Sequence, residues 1–140
     1  MKIKILLATY NGEKYIKEQI NSILAQKDVF VDIVVSDDNS KDKTVEIINT
    51  DYPDINSNRN TPGTGSAAKN FLKMVSNLNF EEDFEYIAFS DQDDIWLPEK
   101  MSSALKLLKK NDADLYCSNL TKWDTSNGSF SELKKIKIVR

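Results

Sequence analysis

The fold is decided by the opening stretch Lys2-Ile3-Lys4-Ile5-Leu6-Leu7-Ala8-Thr9-Tyr10-Asn11-Gly12, in which a mostly apolar run ends in a polar cluster. Such a run indicates a β-strand buried on both faces, as in a parallel sheet. Apolar runs return at residues 31–35 and 86–89, and the segments between them carry apolar residues at helical spacing. Strand therefore alternates with helix, which predicts an α/β domain with a mostly parallel, doubly wound, Rossmann-like sheet and helices on both faces.

The helices are predicted from caps and apolar faces. Asn11 is expected to cap the first helix, whose inner face is Ile16, Ile20, Ile23 and Leu24. Ser40 is expected to cap a second helix that ends before Pro53. A third helix follows from the spacing of Ala67, Phe71, Met74, Val75 and Leu78, and a fourth begins at Pro98 and buries Met101, Leu105 and Leu108.

The remaining segments are predicted as loops and one more strand. Residues 54–65 are rich in Asn, Ser, Thr, Pro and Gly and indicate a loop with a short strand. A last strand is expected at residues 115–118, and a polar tail with an Asn127-Gly128 turn follows it. The chain is thus divided into a main domain, residues 1–124, and a tail, residues 125–140.

Composition excludes several classes of function. The 140-residue chain has no histidine, so it has no Ser-His-Asp or Cys-His catalytic site and no His-bound zinc. Its net charge of -3 argues against a nucleic-acid partner. The single cysteine cannot form an internal disulfide, and no apolar run is long enough to span a bilayer, so a cytoplasmic protein is expected.

Polar clusters follow three predicted strands: Thr9-Tyr10-Asn11, Ser36-Asp37-Asp38-Asn39 and Asp91-Gln92-Asp93-Asp94. Ligands of open α/β sheets bind outside the carboxyl ends of the strands, so we expect a site there. The three carboxylates in residues 91–94 repel one another unless a cation compensates them, and Mg²⁺ or Mn²⁺ accepts such ligands together with phosphate oxygens. The alternative is a solvated acidic turn or a helix cap.

The other clusters have two interpretations each. Asp37 and Asp38 either cap a turn, or one of them accepts the imide N–H of a pyrimidine base. Tyr10 either stacks on that base or belongs to the core. Lys69 and Asn70 open a helix whose start could face a phosphate, although Lys69 is as easily a solvated side chain.

Four ordered blocks resemble the family 2 glycosyltransferases: Ala8-Thr9-Tyr10-Asn11-Gly12, Ile20-Asn21-Ser22-Ile23-Leu24-Ala25-Gln26, Val34-Val35-Ser36-Asp37-Asp38-Asn39-Ser40 and Phe89-Ser90-Asp91-Gln92-Asp93-Asp94-Ile95-Trp96-Leu97-Pro98. Lys69-Asn70 matches the block between the last two, and the resemblance covers residues 2 to about 124. It implies a GT-A fold and inverting transfer from a nucleotide diphosphate-sugar, with UDP or dTDP as the nucleotide, to a saccharide or lipid-linked saccharide. Residues 90–96 look most like members that transfer rhamnose or related sugars in bacterial surface polysaccharide synthesis.

The resemblance also implies roles by position. Asp38 would hold the pyrimidine, with Asp37 a close second, and Ala8 and Tyr10 would line the base pocket. Asp93 would be the direct ligand of Mn²⁺ or Mg²⁺, and Asp91 would lie near the ribose or the metal-bound waters.

The end of the sequence departs from the family pattern. Members usually carry an acceptor site and a carboxylate general base in a second half, and the acids after Trp123, Asp124 and Glu132, do not resemble that region. We therefore expect the chain to hold the donor half and to show no transfer alone. The basic ending, residues 134–140, is interpreted as a solvated end or as a contact with the inner face of a membrane.

Three rival functions remain open. The first is a non-catalytic module that binds a nucleotide or a nucleotide-sugar, which differs from the enzyme only in turnover. A phosphoacceptor signalling domain is weaker, because its paired acids should follow the first strand and here follow the second. A nucleotidyltransferase should carry a Gly-rich phosphate loop after the first strand, and residues 9–13 are not one.

Overall fold

Four parallel strands form the main sheet, in the order β3-β2-β1-β4. The computed structural model describes residues 1–132. The strands of this sheet are β1 (Lys2–Thr9), β2 (Phe30–Asp37), β3 (Asn56–Arg59) and β4 (Tyr86–Ser90). The helices are α1 (Ile16–Leu24), α2 (Thr44–Asp51), α3 (Ala67–Ser76) and α4 (Lys100–Asn111), and a hairpin comprises β5 (Thr121–Asp124) and β6 (Ser129–Glu132). The predicted α/β class, the parallel sheet and the short strand within residues 54–65 are confirmed.

The order of the strands creates a switch point between β1 and β4. The chain moves from β1 to β2 to β3 in one direction and then crosses back to pair β4 with the other side of β1. Because parallel crossovers are right-handed, this reversal places α3 on the opposite face of the sheet from α1 and α2. Ligand sites of such sheets form at this point, outside the carboxyl ends of the two diverging strands.

The main core lies on the face that carries the odd-numbered residues of β1. Ile3, Ile5 and Leu7 are at most 1% exposed. The predicted inner face of α1 is confirmed by three fully buried side chains: Ile16, Ile20 and Ile23. Leu24 was predicted to join them and is 52% exposed, because it ends the helix on the outward side.

Lys4 is a buried cation within the apolar run of β1, at 5% exposure. Its ammonium group lies 2.9 Å from the Asp32 carboxylate, 2.5 Å from that of Glu82 and 5.4 Å from the centre of the Phe84 ring. Burial lowers the pKa of Lys4, but the bonds to Glu82 and Asp32 outweigh burial, so the pKa is raised. Lys4 is therefore buried as an ion, and its two acidic partners remain partly exposed.

Both predicted helix caps are wrong. α1 begins at Ile16 after Tyr15, and α2 begins at Thr44 after Lys43; neither preceding residue caps its helix with a side chain. Asn11 has a φ of 49°, and its side-chain oxygen accepts a bond of 2.8 Å from the backbone N–H of Lys41. Ser40 Oγ accepts a bond of 2.8 Å from the Asn11 N–H. The two side chains bridge the loops after β1 and β2 instead of capping helices.

β4 is less buried than its sequence predicts. Phe89 is 57% exposed, and its ring packs edge-on against Phe71 of α3 at 5.4 Å between centroids. In the part of the chain that the structure describes, β4 lies at the edge of the sheet, so only one of its sides is paired. The prediction of a strand is confirmed, and that of a strand buried on both faces is wrong.

A second compact unit begins at Ala104. Its strands β5 and β6 pair antiparallel, and the rings of Trp123 and Phe130 stack at 5.9 Å. The predicted turn at Asn127-Gly128 is confirmed, since Gly128 has a φ of 71° and its N–H bonds Asp124 O.

The strand predicted at residues 115–118 is absent from the described residues, and Leu115 is 80% exposed. A suitable local sequence does not form a strand without a partner strand. The proposed tail starts within the hairpin, and its basic ending lies outside the described residues. The division at residues 124 and 125 stays a prediction. No helix within residues 1–132 is long and apolar enough to cross a membrane.

Candidate functional site

A cavity of about 440 Å³ opens at the carboxyl ends of β1, β2 and β4. We call it the rim cavity. It is lined by residues 8–10 at the end of β1, by Asp38, Asn39 and Lys41 after β2, by the start of α3 and the segment before it, and by residues 91–93 after β4. The three polar clusters that the sequence places at this edge therefore meet in one cavity.

Six of the eight candidate site residues line the rim cavity: Ala8, Tyr10, Asp38, Asn70, Asp91 and Asp93. Tyr10 is 55% exposed, so it is not a core tyrosine. Asp37 and Lys69 do not line the cavity. Lys69 is exposed, and its backbone N–H donates to Ser66 Oγ, which caps α3.

Asp37 caps a turn, which is one of the two roles that the sequence predicts for it. Its carboxylate is 3% exposed and accepts hydrogen bonds from the N–H of Ser40, at 2.9 Å, and from the Ser40 hydroxyl. Arg59 lies beside it, with Nε at 3.7 Å from the carboxylate, and donates to the Ser40 carbonyl at 2.7 Å. The Asp37 side chain thus holds the loop after β2 in place and does not line the cavity.

Asp38 holds a second loop against the cavity. Its carboxylate accepts the backbone N–H groups of Thr64, at 2.5 Å, and Gly65, at 3.0 Å, and the Asn60 amide at 3.4 Å. A Cβ at Gly63 would lie 2.7 Å from the Asp38 carbonyl oxygen, so only glycine allows this approach. Burial raises the pKa of Asp38, but the bonds from Thr64, Gly65 and Asn60 outweigh burial and lower it below its ordinary value.

We expect the stabilising effect of Asp38 to depend on pH. Asp38→Asn should lower the free energy of unfolding by about 1–3 kcal/mol at pH 7, because an amide cannot accept both backbone N–H groups. The pKa of Asp38 is lower in the folded state than its unfolded value of about 3.9. The ion's contribution is therefore complete above that value and disappears as pH falls through the folded-state pKa. Urea unfolding at pH 7, 5 and 3 measures this effect.

The exposed residue Asp54 supplies the control, since Asp54→Asn should change stability little at any of these pH values. A difference between wild type and Asp38→Asn that stays constant down to pH 3 would contradict the assignment.

A network of buried amide side chains lies next to Asp38. Asn70 is 1% exposed; its amide donates to the Ser36 carbonyl at 2.8 Å, and its oxygen accepts the Ser36 hydroxyl at 2.6 Å. Asn60 donates to the same Asn70 oxygen at 3.0 Å. Asn70 therefore joins α3 to the end of β2 and forms part of the cavity floor.

Residues 91–94, which we call the carboxylate loop, carry three carboxylates that lie close enough to influence one another. Burial raises the pKa of Asp91, and the charges of Asp94 and Asp93 raise it further. Burial also raises the pKa of Asp94, although Lys100 opposes this effect. The loop therefore carries partly buried negative charge that a cation would stabilise.

A divalent metal fits this donor set. Within residues 1–132 no three acidic, cysteine or histidine residues are grouped as a complete metal site. Mg²⁺ and Mn²⁺ do not need such a group, because one or two carboxylates suffice when phosphate oxygens and waters fill the shell. Asp91 and Asp93 both line the rim cavity and supply oxygen ligands of this kind.

Lys41 and Gln92 are among the lining residues of the rim cavity to which the sequence assigns no role. Lys41 brings a positive charge to the lining. Gln92, between Asp91 and Asp93, bonds the loop after β1 through its side chain. These partners are about 80 residues apart in sequence, so no local pattern points to the contact.

Comparison with known proteins identifies the group to which this arrangement belongs. The family described as "Glycosyl transferase family 2" matches residues 4–138. The chain belongs to glycosyl transferase family 2. It is 43% identical over 118 residues to the dTDP-rhamnosyl transferase RfbG of Shigella flexneri, a match that covers 81% of this chain and 40% of that protein.

Two further similar proteins are described with different nucleotide-sugars. The Escherichia coli glucosyltransferase WfgD, described as UDP-Glc:alpha-D-GlcNAc-diphosphoundecaprenol beta-1,3-glucosyltransferase, is 28% identical over 120 residues, which cover 84% of this chain and 45% of WfgD. The crystal structure of S. aureus TarS 1-349 in complex with UDP-GlcNAc has a TM-score of 0.63 and 26% identity, and the match covers 80% of this chain and 32% of TarS. The chain has the GT-A fold of these glycosyltransferases and spans less than half the length of each.

Proposed function

We propose that this family 2 chain binds the nucleotide diphosphate-sugar donor of a glycosyl transfer, with UDP or dTDP as the nucleotide. The observation that carries the proposal is that one cavity is lined by the exposed Tyr10 ring, by the ionised Asp38 and by the paired carboxylates Asp91 and Asp93. A pyrimidine base and a metal-bound diphosphate need these groups. The donors that the names of RfbG and WfgD state, and the nucleotide-sugar in the TarS complex, support it.

Tyr10, Ala8 and Asp38 would hold the base. The Tyr10 ring is free to stack on a pyrimidine, and the end of β1 at Ala8 lies beside it in the lining. The Asp38 carboxylate, which bonds Asn60, Thr64 and Gly65 from within the chain, also lines the cavity. Each carboxylate oxygen accepts more than one hydrogen bond, so Asp38 would also accept the imide N–H that uracil and thymine share and that cytosine lacks.

Asp93 would bind Mn²⁺ or Mg²⁺ directly, and Asp91 would bind the ribose or the metal-bound waters. When bound, the metal would neutralise the diphosphate and stabilise it as a leaving group. Lys41 lines the same cavity and adds a positive charge on the β2 side. Asn70 would hold the floor of the cavity, while Lys69, whose side chain is exposed, would act near the phosphates only through the start of α3.

The finer parts of the function rest on the family relationship. We propose inverting transfer to a saccharide or a lipid-linked saccharide at the cytoplasmic side of the membrane, in bacterial surface polysaccharide synthesis. Inversion needs a carboxylate base that removes the acceptor proton during attack. We assign this base and the acceptor site to the part of family 2 proteins that lies beyond the region matched here.

Calorimetric titration with UDP, dTDP and GDP tests the donor site, each with Mn²⁺ and again with a chelator. We expect UDP or dTDP to bind at least about tenfold more tightly with the metal, because the diphosphate then bridges to the carboxylate loop. GDP should bind more weakly than the better pyrimidine nucleotide. Equal affinities for GDP and both pyrimidine nucleotides would contradict the base pocket, and no binding with Mn²⁺ would contradict the proposed function.

A further inference from the structure

Gln92 connects the two halves of the rim cavity. Its side-chain oxygen accepts the Thr9 hydroxyl at 2.6 Å and the backbone N–H of Tyr10 at 2.8 Å. Its side-chain N–H₂ donates to the backbone carbonyl of Tyr10 at 3.0 Å. One amide therefore pairs both backbone groups of Tyr10, as a neighbouring strand would, and this two-point contact fixes the direction of both segments.

Gly12 provides the space in which Gln92 lies. A Cβ at residue 12 would overlap the side-chain oxygen of Gln92 and approach the Thr9 hydroxyl to 2.9 Å. The φ of Gly12 is not positive, so alanine there conflicts with the end of the Gln92 side chain, which can move, and not with its own backbone. A substitution at Gly12 can thus displace the Gln92 side chain without changing Gln92.

The two connected segments carry different parts of the proposed donor site. Thr9 and Tyr10 line the nucleoside side of the rim cavity, and Asp91 and Asp93 line the metal side. They follow β1 and β4, which are neighbours at the switch point of the sheet. Gln92 stands between the two carboxylates in sequence, so its hydrogen bonds tie the Tyr10 backbone directly to the carboxylate loop.

We propose that Gln92 is a positioning residue that couples nucleoside binding to metal binding. This inference rests on the proposed function, because it takes the two ligands from there. A nucleoside stacked on Tyr10 orders the loop after β1 and, through Gln92, the carboxylate loop. A metal held by Asp91 and Asp93 orders the same contacts from the other side. Such coupling is reciprocal, so each ligand must tighten the other by the same factor.

The test uses the whole chain with uridine and Mg²⁺. Uridine has no phosphate, so no direct bond joins it to the metal, and Mg²⁺ leaves the protein NMR signals sharp. Following backbone amide signals, we expect saturating Mg²⁺ to tighten uridine binding about fivefold or more in the wild type, at the lower end of typical coupling. In Gln92→Ala this factor should fall below about twofold.

Two further variants separate positioning from general damage. Gly12→Ala should also lose the coupling, and Gly12→Ala/Gln92→Ala should show no further loss, because the Gln92 side chain is already displaced in the single variant. Gln26→Ala is the matched control. Gln26 also bonds backbone groups through its side chain, to Leu97 O at 2.8 Å and Met101 N at 2.9 Å, away from the cavity. It should lose stability and keep the coupling.

The outcomes distinguish this inference from the proposed function. If the wild type binds UDP or dTDP with metal but Gln92→Ala keeps the full coupling, the role of Gln92 is wrong and the proposed function stands. The same holds if Mg²⁺ does not change the affinity of the wild type for uridine. If the wild type binds neither nucleotide with metal, the proposed function is wrong and the inference is wrong with it.

Discussion

Asp93→Ala is expected to remove the metal-dependent part of UDP binding. Asp93 lines the rim cavity, and its neighbours Asp91 and Asp94 already hold partly buried negative charge. Without Asp93 the metal loses its proposed direct ligand, and the diphosphate then meets carboxylates that repel it. The affinity for UDP in Mn²⁺ should fall by at least about tenfold, to the value of the wild type with chelator, since even indirect ligand partners change metal affinity by 10–100-fold.

Asp93→Ala should stay folded although it loses the proposed metal site. Removing one of three neighbouring carboxylates relieves their repulsion, so the free energy of unfolding of Asp93→Ala should be unchanged or slightly higher. Asp83→Ala removes an exposed acid from the loop before β4 and serves as the control. Calorimetry of wild type and both variants, with Mn²⁺ and with chelator, measures the effect. An unchanged affinity of Asp93→Ala in Mn²⁺ would overturn the metal assignment.

The strands could be predicted from the sequence because their apolar runs have no other stable arrangement. A run such as residues 31–35 needs cover for its apolar side chains, and the helical spacing between runs supplies it. The prediction of a strand at residues 115–118 was wrong because composition alone does not form a strand. Its composition favours a strand, but pairing decides whether one forms, and the pairing partner of a strand is not a local property.

The two predicted helix caps are wrong because their side chains form other hydrogen bonds. Asn11 and Ser40 suit helix starts by type, but here they exchange hydrogen bonds with the loop after the neighbouring strand. Local sequence cannot show that residues 29 positions apart meet. The same limit concealed Gln92, whose partners on β1 are more than 80 positions away.

The rim cavity lies at the edge of the sheet where the sequence predicts the candidate site, because the carboxyl ends of neighbouring parallel strands must adjoin. What the sequence left open was the choice between adjacent residues. Asp37 ends β2 and points away from the cavity, whereas Asp38, one residue later, lines it. Side chains alternate along an extended segment, so a shift of one residue exchanges an acid that fixes a turn for one that lines the cavity.

We therefore expect Asp37→Ala to lose stability but not affinity, and Asp38→Ala to lose affinity. Asp37 is 3% exposed and bonds Ser40 twice beside Arg59, so its removal leaves a buried turn without its acceptor. We expect Asp37→Ala to lower the free energy of unfolding by about 2–4 kcal/mol. Its affinity for uridine, measured where the variant is folded, should change less than threefold, because Asp37 does not line the cavity.

Asp38→Ala should lose affinity as well as stability, and the loss of affinity distinguishes it from Asp37→Ala. It removes the proposed acceptor of the imide N–H and frees Thr64 and Gly65, whose loop lines the same cavity. The affinity for uridine should fall by about 1–3 kcal/mol, the cost of losing a hydrogen bond to a charged group. Ser40→Ala is the control, since it removes one partner of Asp37 and should lower stability without lowering affinity. A larger loss of affinity in Asp37→Ala than in Asp38→Ala would reverse the assignment, because it would mean that the buried acid, and not the cavity acid, determines how the base is held.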